Sequence, residues 1–157
     1  MNRRRLAIAA FVAALAGAGA GTAHGAAGHP GALSKSATVN LRATTLGKIL
    51  VDAKGRTLYL FEKDRRNKSE CPAACAKVWS PLLVGGKPTA GPGVKASLLG
   101  TARRKGGVQV TYNGHPLYRF SGDKKAGQTN GEGSKAFGAE WYVLSAKGTK
   151  VEKKGGS

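Results

Sequence analysis

The residues able to do chemistry in this chain are few, and their spacing narrows what that chemistry is. Cys71 and Cys75 are its two cysteines, four positions apart. In an exported protein an even, isolated pair forms a disulfide, because oxidising compartments preserve the bond. The same Cys-x-x-x-Cys also offers thiolates to redox exchange, or to a soft metal with His115 as a third ligand. Asp64 and Asp123 suggest a carboxylate pair, but general acid–base work needs environments that push the two pKa values apart. Lysines or arginines adjoin both alike, at Lys63 and Arg65 and at Lys124 and Lys125. The competing reading is a short acceptor that ends a strand and binds backbone N–H groups in the next turn. His115 lies between Asn113-Gly114 and Pro116, at the exit of a turn, with no serine spaced to receive it as a base. Asp123, Asn130 and Glu132 invite a calcium reading, yet Lys124 and Lys125 stand where the ligands of such a loop begin. No catalytic cluster emerges, so the expectation is a protein that is not an enzyme and needs no cofactor.

The elements that must position these residues come from a duplication. Sliding the chain by 59 residues aligns Val39–Asp64 with Leu98–Asp123 over 26 positions without a gap, eight of them identical, which marks a repeated supersecondary unit. In both copies a Tyr-x-Phe-x-x-Asp motif falls in register: Tyr59, Phe61 and Asp64, then Tyr118, Phe120 and Asp123. Within each copy the apolar residues alternate between turn signals, so strands are predicted. Lys48–Asp52 and Arg56–Phe61 read as one hairpin around Lys54-Gly55. Val108–Tyr112 and His115–Phe120 read as another around Asn113-Gly114, a turn dipeptide that accepts positive φ at both positions. Upstream strands are expected near Thr38–Ala43 and Leu98–Arg103, and a further strand follows each of Trp79 and Trp141. Pro72 opens one short helix near 72–78. The fold class is therefore mainly β: two pseudo-symmetric repeats of short antiparallel strands and one short helix. In a strand, Tyr59 with Phe61 and Tyr118 with Phe120 share a face. The opposite face has Leu58 and Leu60 in one copy but Leu117 and Arg119 in the other, so the aromatic face is the one expected to be buried.

At these residues the chain resembles a family of bacterial secreted-repeat proteins, often lipoproteins, whose mark is the Tyr-x-aromatic-x-x-Asp motif and whose function is unknown. The resemblance runs through "CPAACAKVW", "VTYNGHPLY" and "GDKKAGQTNGEG", over about residues 39–145. Trp79-Ser80-Pro81 stands where the family more often has Trp-Pro-Pro. No cysteine precedes Cys71 to accept a lipid. The resemblance implies export and architecture, and no activity.

The start of the chain agrees with export. Arg3, Arg4 and Arg5 precede an apolar run from Leu6 to about Leu15 and then small residues, the order of a secretory signal. The run is too short to span a membrane comfortably. The predicted organisation is a signal peptide over 1–25, a flexible leader over 26–37, a single β domain over 38–151 with repeats at 38–84 and 97–151, and a disordered tail over 152–157. The whole chain carries 26 Lys and Arg against 8 Asp and Glu, and without the three leading arginines the formal net charge is +15. Such an excess favours acidic envelope polymers through non-specific charge. The basic clusters fall in turns rather than between aromatics on a strand face, so sequence-specific nucleic-acid recognition is not expected. Localisation outside the cytoplasm, in the envelope or beyond, follows, with no transmembrane segment expected in the mature chain. Oligomeric state is not legible.

Overall fold

The computed structural model describes residues 36–153. The proposed signal peptide, the leader as far as residue 35 and the tail from residue 154 lie outside them. The first half contains β1 (Thr38–Thr44), β2 (Gly47–Asp52), β3 (Tyr59–Phe61), the helix α1 (Ala73–Ala76), β4 (Trp79–Pro81), β5 (Leu83–Val84) and β6 (Thr89–Ala90). The second contains β7 (Leu99–Arg104), β8 (Gly107–Tyr112), β9 (His115–Pro116), β10 (Tyr118–Phe120), β11 (Ser134–Ala136), β12 (Ala139–Leu144) and β13 (Lys150–Val151). The protein is mainly β with one short helix, as the alternation of apolar residues indicates.

Each half begins with an antiparallel hairpin, β1 with β2 and β7 with β8. The chain then folds back along β2 or β8 for only a few residues. Asn113 (φ 50°) and Gly114 (φ 81°) make the second of these turns, where a left-handed pair is needed to reverse the backbone. The expected hairpins over 48–61 and 108–120 are therefore split. Thr57 bridges Val51 and Leu58 donates its N–H to the Leu50 carbonyl, but Tyr59–Phe61 leaves that sheet. Likewise β9 pairs with β8, and Tyr118–Phe120 leaves it. The departing strands meet in the middle of the molecule, where β3 and β10 run antiparallel with Tyr59 opposite Tyr118.

That pair is the centre of a sheet ordered β11-β12-β3-β10-β4, with β13 on β12. Its outer strands are exchanged. The first half's Trp79 strand lies on the second half's motif strand, with Phe120 opposite Trp79, and the second half's Trp141 strand lies on the first half's, with Trp141 opposite Phe61. A pseudo-twofold axis between Tyr59 and Tyr118 relates the two sets of contacts. The segment between the two repeats supplies β6, which pairs in parallel with β1.

Both faces of the motif strands are covered. Leu58, Leu60 and Leu117 pack with Val39, Leu50 and Tyr112, while Tyr59, Phe61 and Tyr118 pack with Trp79, Trp141 and the cysteines. The aromatic face is buried at Tyr59, Phe61 and Tyr118, whereas Phe120 is only partly covered. Arg119, at the place of Leu60, reaches the buried Asp52 with its Nε 2.6 Å from Oδ2. An ion pair thus stands where the other half has a leucine.

Candidate functional site

The repeated motif is a crosswise arrangement. The Tyr59 hydroxyl donates to Asp123 Oδ2 at 2.6 Å, and the Tyr118 hydroxyl donates to Asp64 Oδ2 at 2.8 Å. Each tyrosine is satisfied by the aspartate of the other repeat. The second carboxylate oxygen holds the following turn: Asp64 Oδ1 accepts the Glu70 N–H at 2.7 Å, and Asp123 Oδ1 accepts the Asn130 N–H at 2.9 Å. Between the two pairs runs a stack of rings, Phe61 on Trp141 at 4.2 Å, Trp141 on Trp79 at 3.9 Å and Trp79 on Phe120 at 4.4 Å. Tyr59 meets Trp79 edge-on and Tyr118 meets Trp141 in the same way. Such packing suits the ring quadrupoles and contributes beyond the buried area.

The electrostatics follow from burial. The Tyr59 phenol is held far above its ordinary range by burial, then by the hydrogen bond and charge of Asp123. Tyr118 is raised by burial and by the charge of Asp64. Both hydroxyls are therefore proton donors at any ordinary pH. Asp64 is pushed up to about 6, chiefly by burial, against the lowering effects of the Glu70 N–H, the Tyr118 hydroxyl and Arg104. Because this lies above the ordinary 3.8, the fold favours the protonated acid: the contribution is fully present below about pH 4 and is lost as pH rises through about 6. Asp64→Asn stays neutral and should lack this decline. Melting curves of parent and variant between pH 4 and 7 check it; parallel pH profiles would exclude Asp64 as the source.

Cys71 and Cys75 are joined, with S–S 1.97 Å, and both are buried. This overturns the metal alternative built on Cys71, Cys75 and His115, since no thiolate remains to bind a metal. Among the described residues no group of three or more His, Cys, Asp and Glu is placed to hold an ion. Of the suggested calcium loop, Asp123 commits both carboxylate oxygens to protein donors and Glu132 commits Oε2, which accepts the Val143 N–H at 2.7 Å. The disulfide instead belongs to a network. Arg104 Nη1 donates to Ser69 Oγ and to the buried Gln109 Oε1, and Nη2 donates to the Cys71 carbonyl. Ser69 Oγ in turn lies 2.7 Å from the Tyr118 hydroxyl.

His115 lines a cleft of about 460 Å³ together with Leu60, Phe61, Glu62, Asp64, Asn113 and Lys150. Burial, and then the charge of Arg66, hold its pKa below the usual value. Positions related by the 59-residue offset line a second cleft of about 410 Å³, where Arg119 replaces Leu60, Lys54 replaces Asn113 and Arg56 replaces His115. The scaffold is doubled, and its clefts have diverged.

A family described as a secreted repeat of unknown function matches residues 41–83 and 100–145. The chain belongs to this family. No curated protein and no solved structure matches it. Each family segment contains one motif strand and the tryptophan strand that follows it, so the unit repeated along the chain is not the unit closed in space. The family's description places the repeat among secreted proteins, and among the described residues no helix is long and apolar enough to cross a membrane. Sequence reading places Asp64 and Asp123 as acceptors of backbone N–H groups in the following turns, as they are, but not as partners of the other repeat's tyrosine, and it gives neither Arg104 nor Gln109 a role inside the fold. The signal for Arg104 was a basic residue ending β7 beside a polar Gln109 in an apolar strand.

Proposed function

We propose that this protein is a non-catalytic binding module of the cell envelope or its surroundings, and that it holds acidic polymers through charge. One observation carries the reading: the two signs of charge are segregated. Every lysine among the described residues is exposed, whereas Glu62 and Glu152 are the only exposed acids of the eight in the chain. Asp52, Asp64, Asp123 and Glu132 hold backbone and side-chain donors inside the fold. The surface that a partner meets is therefore more positive than the net charge alone conveys. The buried tyrosine–aspartate pairs spend their donors and acceptors on one another, which supports a scaffold role rather than acid–base chemistry.

Binding of this kind releases counterions and weakens with salt. With about three to five charges engaged, affinity for long-chain polyphosphate should drop by roughly 10- to 100-fold between about 50 and 200 mM salt. Titrations at several salt concentrations measure it. No binding at the lowest salt, or binding indifferent to salt, would refute the reading.

A further inference from the structure

Resting on that charge-binding reading, we infer that the polymer's phosphate groups are taken at one built position: the Arg42 guanidinium, laid across Gly55 and Gly127, with Lys54 and Lys125 beside it. Arg42 projects from β1 of the first repeat, and it rests on a seam between the halves where the Gly127 N–H donates to the Gly55 carbonyl at 3.0 Å. Both glycines have φ of +77°. A Cβ at Gly127 would come within 2.7 Å of Arg42 Nε, and one at Gly55 within 3.2 Å of Nη1. The guanidinium thus lies in the space that side chains at these two glycines would take, so one side of it is packed before any ligand arrives. An arginine ordered in advance loses less freedom on binding.

The remaining geometry turns this residue toward solvent as a binding group. Arg42 is exposed, and its side chain takes part in no ion pair or hydrogen bond among the described residues. Lys54 directly precedes Gly55, and Lys125 lies two residues before Gly127; both are exposed and without an ion pair. The loop that carries Lys125 is held in shape. Gln128 Oε1 accepts the N–H groups of Lys124 and Lys125 at 2.6 and 2.8 Å, and Thr57 Oγ1 donates to the Gln128 carbonyl at 2.6 Å. The nearest carboxylates in sequence are already committed, Asp52 to Arg119 and two backbone N–H groups, Asp123 to Tyr59 and Asn130. A free planar fork resting on two segments that each carry a lysine matches phosphate oxygens, which guanidinium engages through paired hydrogen bonds. Arg42 is exposed on the surface, which suits a segment of a polymer passing across it.

The test compares full-length variants that remove equal charge. Arg42→Ala/Lys125→Ala should lose at least about tenfold in affinity for polyphosphate, the scale of one charge-assisted bidentate contact. Arg103→Ala/Lys105→Ala, at the β7–β8 turn, should lose less than about threefold, since it removes only surface charge. Arg42→Lys keeps the charge and should recover only part of the affinity, because an ammonium cannot replace the fork. Separate titrations with polyphosphate and with poly(glycerol phosphate) distinguish the two sources of phosphate; loss on either in the Arg42 variants supports the site. Equal losses in the two double variants, with the parent binding normally, would overturn the anchor while leaving the charge reading intact. A parent that binds neither polymer would remove both. Melting temperatures near the parent's confirm that the exposed substitutions leave the fold in place.

Discussion

Phe61→Ala is expected to cost about 3–5 kcal/mol, a large share of the roughly 5–15 kcal/mol that holds a domain together. Phe61 is 1% exposed and lies flat on Trp141, which lies flat on Trp79. Truncation removes the end of this stack and leaves a cavity that two large, mutually packed indoles cannot collapse to fill. The melting temperature should fall by more than about 10 °C. Phe120 ends the stack on the other side but is only half-covered and tilted on Trp79, so Phe120→Ala should cost clearly less. Thermal melts of both variants decide the matter. A Phe61→Ala protein as stable as the parent would mean that the motif is a surface site and not a scaffold.

The second large effect is expected at Asp123. This carboxylate is 2% exposed and accepts both the Tyr59 hydroxyl and the Asn130 N–H. Asp123→Ala strands both donors, each at a cost of about 1–3 kcal/mol. Tyr59→Phe removes one of them, so the double variant should be less destabilised than the sum of the single changes. The coupling should reach about 1–3 kcal/mol, in the range of residues sharing one buried network. The related cycle of Tyr118→Phe with Asp64→Ala should give a smaller coupling, because Asp64 is less buried and Tyr118 keeps Ser69 as a partner. Denaturant unfolding of the four proteins in each cycle supplies the numbers. A coupling near zero at Tyr59 and Asp123 would show that the cross-repeat bond contributes nothing.

Much of the fold was legible because it is written locally. Alternating apolar residues, the Asn113-Gly114 turn and the proline before Ala73 each act over a few positions, and each lies where such chemistry operates. What stayed hidden depends on residues about 60 apart. Two hairpins packed side by side and two that exchange their tryptophan strands satisfy the same alternation, the same turns and the same offset. The pairing of β3 with β10 is tied by the bonds of Tyr59 to Asp123 and of Tyr118 to Asp64, which no short window contains. Arg119 misled in an instructive way. Taken alone it argued that one face of its strand is wet, but the buried Asp52 receives it, and that partnership spans 67 residues. Arg42 was equally invisible, since an exposed arginine gains its meaning here from two glycines in other segments. The diverged clefts show the reverse case: the offset itself reveals which positions differ, although not that they line cavities.

The exchange of tryptophan strands has a consequence for how the molecule is assembled. Its contacts are those of a closed, isologous twofold dimer whose two subunits happen to share one chain. In a true dimer of such halves, completing the central sheet is a meeting of two bodies and depends on their concentration. The connector through β6 makes the same step intramolecular, at an effective concentration set by its reach. Covalent continuity between the halves therefore does here what abundance does for an obligate dimer: it keeps the sheet closed in a dilute exterior.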